Sequence, residues 1–360
     1  MIAIVSALPL PVLALVFAGA AAAVWIAGTY LSKTTDVLDM RLGLGEAFGG
    51  LILLAIVTNL PEIAIVASAA MTHQLGIAVG NILGGIAIQT VVLVLLDAVG
   101  LPGTIALSRQ GASLVVLLEA GTVVAVLCVT IMGSQLPANL LLWRIDPAAL
   151  VIAIIWVAGL VLVQRARKGL PWHQDGQPPD GQERPRGHRK VRRAAEMRAT
   201  MSPSRAATIF VIGAVVTLAA GALLAISGEA IADDIGMSGV LFGSTVLAAA
   251  TALPEVSTGL ASVRMGDYQL AFGDIFGGNA FLPVLFLLAS LLSGEAVIPH
   301  AGITDIYLTG LGALLSVVYM FGIVFRPTRT IARMGLDSFV VLVLYVVGII
   351  GLVAIATGVR

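Results

Sequence analysis

The sequence predicts an all-α integral membrane protein with ten transmembrane helices, arranged as two inverted five-helix repeats in which helices 2 and 7 are broken. Composition is the first ground. Of 360 residues, 59% are apolar and 11% charged, against roughly 25% charged in soluble domains, and mean hydropathy is +1.04. The second ground is a series of apolar runs long enough to cross a bilayer. The third is that the second half of the chain restates the first at a fixed offset. Together these exclude a soluble enzyme, a disordered chain and a nucleic-acid-binding domain.

A spanning helix needs about 20 mostly apolar residues. Ten runs qualify: 8–31, 44–70, 75–98, 111–132, 146–164, 207–228, 237–263, 268–292, 304–325 and 337–357. The N-terminal run lacks a basic leader and exceeds a signal-peptide core, so it reads as the first span. Residues 165–205 are rich in Pro, Gly, Gln and Arg and read as a solvated linker, with a short helix over 189–201. The organisation is therefore a first repeat over 1–164, a basic linker over 165–206 and a second repeat over 207–360.

Charge sets the expected orientation. The 165–205 segment holds eleven Lys and Arg against four acids. With it inside, the loops 32–43, 99–110, 264–267 and 326–336 also fall inside, adding Lys33, Arg41, Arg109, Arg264, Arg326, Arg329 and Arg333. Only Arg144 and Arg360 remain outside. This asymmetry predicts a multi-pass protein of the cell membrane with both termini outside.

At an offset of 193, Gly43 meets Gly236, Gly50 meets Gly243 and Thr58 meets Thr251. Leu60-Pro61-Glu62 meets Leu253-Pro254-Glu255, and Gly80, Gly84 and Gly85 meet Gly273, Gly277 and Gly278. The motif regions are 43–89 and 236–282. Span 2 runs outward and span 7 inward, so the copies are inverted. Inverted repeats with interrupted helices characterise secondary transporters, whose site lies near the midplane.

The repeated T-x-L-P-E carries the chemistry. Proline within a helix removes an N–H and leaves a carbonyl without its helical partner. In hydrocarbon such a group needs another partner, and a cation serves. An ionised acid at the centre of a span costs about 2.5 kcal/mol or more. Glu62 and Glu255 together would repel unless neutralised. Ca²⁺ takes about 6–8 oxygens: two bidentate carboxylates and two freed carbonyls near Thr58 and Thr251 supply six. Without the ion, protons or monovalent cations must replace it, which is the physical root of antiport. Asn81 and Asp274 occupy equivalent positions in the glycine-rich second part of each repeat and should line the same site.

These residues resemble the sodium/calcium exchanger superfamily, whose two inverted repeats read roughly G-T-S-x-P-E followed by G-N-x-x-G-S-N-x-x-N/D. The resemblance covers both halves. It implies ten spans, with Glu62 and Glu255 as central calcium ligands beside Thr58 and Thr251. The chain departs from the pattern consistently. The serine after each Thr is Asn59 or Ala252; the serine of G-S is Gly85 or Gly278; the later polar residue is Gln89 or Leu282. In the family these groups help to hold sodium, so the departures favour protons as partial or complete replacements, with Asp274 as a proton carrier.

The expected function is thus exchange of Ca²⁺ against Na⁺ or H⁺ by alternating access, with a metal set of Glu62, Glu255, Thr58, Thr251, Asp274, Asn81, Asn59 and Gln89. Cofactors are not expected; inorganic cations and the lipid bilayer are the partners, nucleic acid is not, and a monomer suffices. A monovalent cation/proton antiporter is the alternative, ahead of an ion channel. No Ser/His, paired-Asp or histidine-rich constellation suggests an intramembrane enzyme, and Cys128 alone makes no disulfide. Among other residues, Glu46 reads as interfacial, Asp97 and Asp337 as solvated span ends, Glu119 as an interhelical acid or a functional one, and His73 as an outer-turn residue. Gly19-Ala20 and Gly213-Ala214 read as close-packing points on spans 1 and 6.

Overall fold

The computed structural model describes residues 5–42, 56–101, 105–168 and 202–358. Nearly all of them are helical. The first helix, α1 (Leu10–Leu42), continues well beyond the expected end of span 1. The stretch Ser32-Lys33-Thr34-Thr35-Asp36 contains neither Pro nor Gly, so the helix extends past its apolar part instead of turning into the predicted 32–43 loop. Then follow α2 (Leu60–Met71), α3 (Leu75–Leu95, prolonged by a π turn to Gly100), α4 (Leu114–Gly133) and α5 (Pro147–Lys168). The second half contains α6 (Pro203–Asp234), α7 (Gly243–Thr251, opening with a π turn) and α8 (Leu253–Met265). It closes with α9 (Tyr268–Phe281), α10 (Leu285–Ser293), α11 (Ile303–Phe325) and α12 (Leu336–Thr357).

Among the described residues, eight helices are long and apolar enough to cross a membrane, or nine if the bent pair α7–α8 counts as one span. α2 is shorter. The upstream part of its predicted span lies outside the described residues, as do Glu46, Gly43, Gly50 and the 189–201 helix. One departure from an all-α chain is a hairpin in the 326–336 loop, β1 (Thr330–Ile331) with β2 (Met334–Gly335). Its turn residues Ala332 and Arg333 both have positive φ, 49° and 71°, the geometry that matches a two-residue hairpin to strand twist.

Local chemistry fixes the helix ends. Ser113, Ser202 and Asp267 accept backbone N–H groups at the starts of α4, α6 and α9. Gly266 ends α8 in the left-handed conformation, φ 79°, which lets the chain reverse at once into α9. α7 and α8 meet at a 49° bend. The cause is Pro254, whose ring cannot continue the upstream hydrogen-bond ladder. Pro61 stands at the same point of α2, and the two breaks are bridged alike, Ile63 N to Asn59 O at 3.0 Å and Val256 N to Ala252 O at 3.1 Å.

α1 and α6 lie against each other and each packs on a broken helix. Gly28 of α1 lies under Pro254: a Cβ there would stand 2.9 Å from the proline ring. Gly221 of α6 lies under Pro61: a Cβ there would stand 2.8 Å from the Pro61 carbonyl oxygen. Residues 28 and 221 are themselves 193 apart. The close approach expected at Gly19 is absent, since its surroundings are open to 4 Å, whereas Gly213 does meet Leu31. α3 and α9 occupy the centre: residues 77–87 of α3 and Ala271–Phe276 of α9 are buried almost without exception. Large apolar side chains of α6 such as Val211, Ile212 and Val215 are exposed; this outward face suits lipid rather than water.

Candidate cation site

The two proline breaks bring the carboxylates together in the middle of the bundle. Glu62 is in the first turn of α2 and Glu255 in the first turn of α8. Glu62 is fully buried and Glu255 is 1% exposed. They are near enough to interact electrostatically, and Asp274 also acts on Glu255. The hydroxyl of Thr251, from the opposite half, reaches Glu62. None of the four carboxylate oxygens of the two glutamates has a protein hydrogen bond of good geometry. Buried carboxylates lacking a counter-charge are strongly unfavourable, so this arrangement calls for a cation or protons.

Amides and hydroxyls surround the acids. Thr58, Asn59, Asn81, Gln89 and Thr251 are all at least 98% buried. Asn59 and Gln89 converge on Gly278 of α9: a Cβ there would come within 3.1 Å of Asn59 Nδ2 and 3.4 Å of Gln89 Oε1. The glycine that replaces the family serine thus makes room for two larger amides. Gly243 passes equally close to the backbone of Asn81, with a virtual Cβ 3.3 Å from its N. Both side-chain atoms of Asn81, and both of Gln89, lack a protein partner among the described residues. They remain available to a ligand.

Asp274 is 3% exposed and sits differently. Its Oδ2 accepts a short hydrogen bond from Thr258 on α8. Thr258 also lies over the Pro254 and Glu255 carbonyls at 3.1 and 3.2 Å, and Ser262 donates to the Thr258 carbonyl at 2.9 Å. A polar strip therefore runs from Glu255 along one face of α8. In the first half the matching residues are Ile65 and Ala69, so the strip is one-sided. Among the described residues no three acids, imidazoles or thiols gather closely enough to hold a metal on their own. A cation at the centre would need the two glutamates together with neutral oxygens.

All eight residues singled out from the sequence are buried. Glu62, Glu255, Thr251 and Asp274 are linked by the contacts described, and Asn59 joins Gln89 across Gly278. Two participants escaped sequence reasoning. Thr258 carries no repeat signal because its counterpart is Ile65. Asn279 is fully buried and donates to the Thr90 hydroxyl at 3.0 Å and the Ile86 carbonyl at 3.3 Å, tying α9 to α3. Its signal was available: it follows Gly277-Gly278, where the family pattern has its own asparagine. Glu119 on α4 is also buried, and His73 pairs with Glu295, 3.2 Å apart, in the loops.

Asp97 and Asp337 correct a sequence expectation. They are not solvated ends but 1% and 4% exposed. The β1–β2 hairpin and the turn Leu107–Gly111 fold over them, a closure that hydropathy cannot foretell.

Comparison with known proteins gives the family. The model of the family described as sodium/calcium exchanger protein matches residues 12–168 and 205–354. A putative antiporter, CaxA of Alkalimonas amylolytica, is 28% identical over 294 residues, which is 81% of this chain and 81% of that protein. The crystal structure of the H⁺/Ca²⁺ exchanger CAX superposes with a TM-score of 0.66 at 12% identity, covering 96% of this chain and 85% of its own. The sodium-calcium exchanger NCX_Mj superposes with a TM-score of 0.57 at 16% identity, covering 95% and 99%. At these identities the two structures establish a common fold. The family match spans most of the chain, both halves included; this protein is a multi-pass membrane antiporter of the sodium/calcium exchanger family, and not an enzyme.

Proposed function

We propose that the chain exchanges Ca²⁺ against protons by alternating access, binding Ca²⁺ between Glu62 and Glu255 with help from the Thr58 and Thr251 regions, Asn59, Asn81 and Gln89. The observation that carries this reading is the glutamate pair: two buried carboxylates, one from each half, whose oxygens have no protein hydrogen bond of good geometry. A divalent ion cancels both charges, and hard oxygen donors suit Ca²⁺. The buried position disfavours Mg²⁺, which gives up water reluctantly.

The choice of proton over sodium rests on what surrounds the pair. Ala252, Gly85, Gly278 and Leu282 offer no side-chain oxygen where the family pattern has one. Asp274, held by Thr258, lies within electrostatic range of Glu255 and provides a place for the proton that replaces the ion.

The same reading includes two inverted five-helix repeats, 1–164 and 207–360, joined by a cytoplasmic 165–206 linker, with ten spans and both termini outside. Its support is the paired contact of Gly28 with Pro254 and Gly221 with Pro61, four residues related by one offset. The interval between the two matched family stretches also falls on the linker.

The test is ⁴⁵Ca²⁺ uptake into proteoliposomes, driven in turn by an outward proton gradient and an outward sodium gradient, with Glu62→Gln as control. Proton-driven uptake that the control lacks is the expected result. Sodium-driven uptake alone would reassign the counter-ion. No uptake under either gradient would point to a monovalent cation/proton antiporter.

A further inference from the structure

Asp97 and Asp337 form a second buried pair of acids, where span 3 ends and α12 begins; Asp97 lies about two helical turns beyond Gln89 of the central site. Each oxygen of Asp97 accepts one backbone N–H and keeps a lone pair. Its Oδ1 accepts Leu107 N and its Oδ2 accepts Gly335 N, both at 2.7 Å. Those two bonds tie the 105–111 turn and the hairpin to α3. Neither oxygen of Asp337 makes a protein hydrogen bond of good geometry. The two acids interact electrostatically. A single point, the Cβ position of Gly335, lies 2.5 Å from Asp337 Oδ1 and 3.3 Å from Asp97 Oδ2. Gly322 of α11 lies flush against Asp337 Oδ2, and any side chain there would strike it.

A neutral group completes the picture. The hydroxyl of Ser108 is fully buried, is directed towards Asp337, and has no hydrogen bond that meets strict geometry. Tyr319 and Ser338, 3.2 Å apart through their hydroxyls, lie beside the acids. No Lys or Arg among the described residues pairs with either carboxylate; Arg326 donates to the Ala112 carbonyl at 3.3 Å instead.

The molecule contains its own control. At an offset of 193, Asp97 corresponds to Ser290 and Asp337 to Arg144; the acid at the opening of α5 is Asp146, just before Pro147. That end is tied in the same manner: Asp146 accepts Ala148 N at 2.9 Å and Ile298 N at 3.2 Å, and Ser290 accepts Val297 N at 3.5 Å. One acid and one hydroxyl suffice for that tether, and every oxygen is used. The Asp97–Asp337 end has a second carboxylate, whose oxygens make no protein hydrogen bond of good geometry.

We infer that Asp97, Asp337 and Ser108 form a second, non-transporting cation site that takes Ca²⁺. Two carboxylates neutralise a divalent ion, and Ser108 adds a hard oxygen. Together they supply at most five oxygens, so carbonyls or water would complete the roughly six to eight that Ca²⁺ takes. An ion here would fasten α3, α11, α12 and the hairpin together, so its occupancy would stiffen that end of the bundle.

The test is equilibrium ⁴⁵Ca²⁺ binding to the purified full chain in detergent, with each variant checked as monodisperse by gel filtration. The Glu62→Gln/Glu255→Gln double variant should retain about one Ca²⁺ per chain. Adding Asp337→Asn should abolish that binding. Ser108→Ala should weaken it by about tenfold, the scale of losing one supporting group, and Asp146→Asn should leave it unchanged. Should Asp337→Asn not fold, Asp337→Ser, which leaves one acid and one hydroxyl as at the opposite end, takes its place. The inference is overturned if the double variant binds no Ca²⁺, or if its binding survives loss of Asp337. Failure of the central reading looks different: wild type would then bind one Ca²⁺ that Asp337→Asn removes and Glu62→Gln does not.

Discussion

At the scale of the residue, the account turns on carboxylates that the protein leaves without partners. Glu62→Gln keeps the shape of the side chain and removes its charge, and so does Glu255→Gln. Each should abolish Ca²⁺ transport while leaving the protein folded, as read by uptake and gel filtration; transport by either variant at the wild-type rate would contradict the assignment. Asp274 belongs to the proton limb. Asp274→Asn should retain Ca²⁺ binding but lose uptake driven by a pH gradient. Thr258→Val removes the hydroxyl that holds Asp274, a hydrogen bond to a charged group worth about 1.5–3 kcal/mol, and should slow proton-driven uptake without abolishing it. Measuring both variants at several pH values separates loss of coupling from loss of fold.

Repetition decided which of these residues were legible in the sequence. Glu62 and Glu255 occur in identical tripeptides inside two apolar spans, and composition alone does not produce that. Thr258 and Asn279 have no repeated counterpart, since Ile65 and Ile86 stand opposite them, so the signal that exposed the glutamates was silent there. Asp97 and Asp337 were misjudged for another reason. Position at a span end suggests water, but burial depends on the hairpin, and the hairpin depends on two left-handed residues in a short loop.

At the scale of the element, the prolines break helices and the glycines let long helices lie across the breaks. Gly28 and Gly221 are the contact points. Gly221→Val forces a side chain into a space where even a Cβ would stand 2.8 Å from a carbonyl oxygen. Overpacking of this kind costs about 1–3 kcal/mol, and a lowered thermal-unfolding midpoint in detergent is the expected outcome. Gly19→Val, at an open position, should leave that midpoint unchanged. If the two variants unfold alike, the α1–α6 layer does not press on the breaks as described. Of the small residues singled out from the sequence, Gly213 does pack closely, on Leu31, and Gly19 does not, because a helix offers many near-equivalent small positions and only packing distinguishes among them.

At the scale of the whole molecule, hydropathy made nine of the ten expected spans recognisable among the described residues, counting the bent pair α7–α8 as one. They could not show that α1 outruns its apolar core, because helix propensity continues past the point where hydropathy stops. The orientation has its own test. With Cys128 replaced by Ala, single cysteines at Gln177→Cys and Trp143→Cys should label with a membrane-impermeant thiol reagent from opposite sides of intact cells. Trp143 should be reached from outside, and Gln177 only after permeabilisation. The reverse pattern would invert the topology.

The central claim is that Glu62 and Glu255 hold the transported ion, whatever the counter-ion. Ca²⁺–Ca²⁺ counterflow tests it most directly, since proteoliposomes loaded with unlabelled Ca²⁺ and diluted into ⁴⁵Ca²⁺ need no other gradient. The wild-type chain should accumulate label over time, Asp274→Asn should also do so, and the two glutamine variants should not. Accumulation by Glu62→Gln and Glu255→Gln at the wild-type rate would place the transported ion elsewhere.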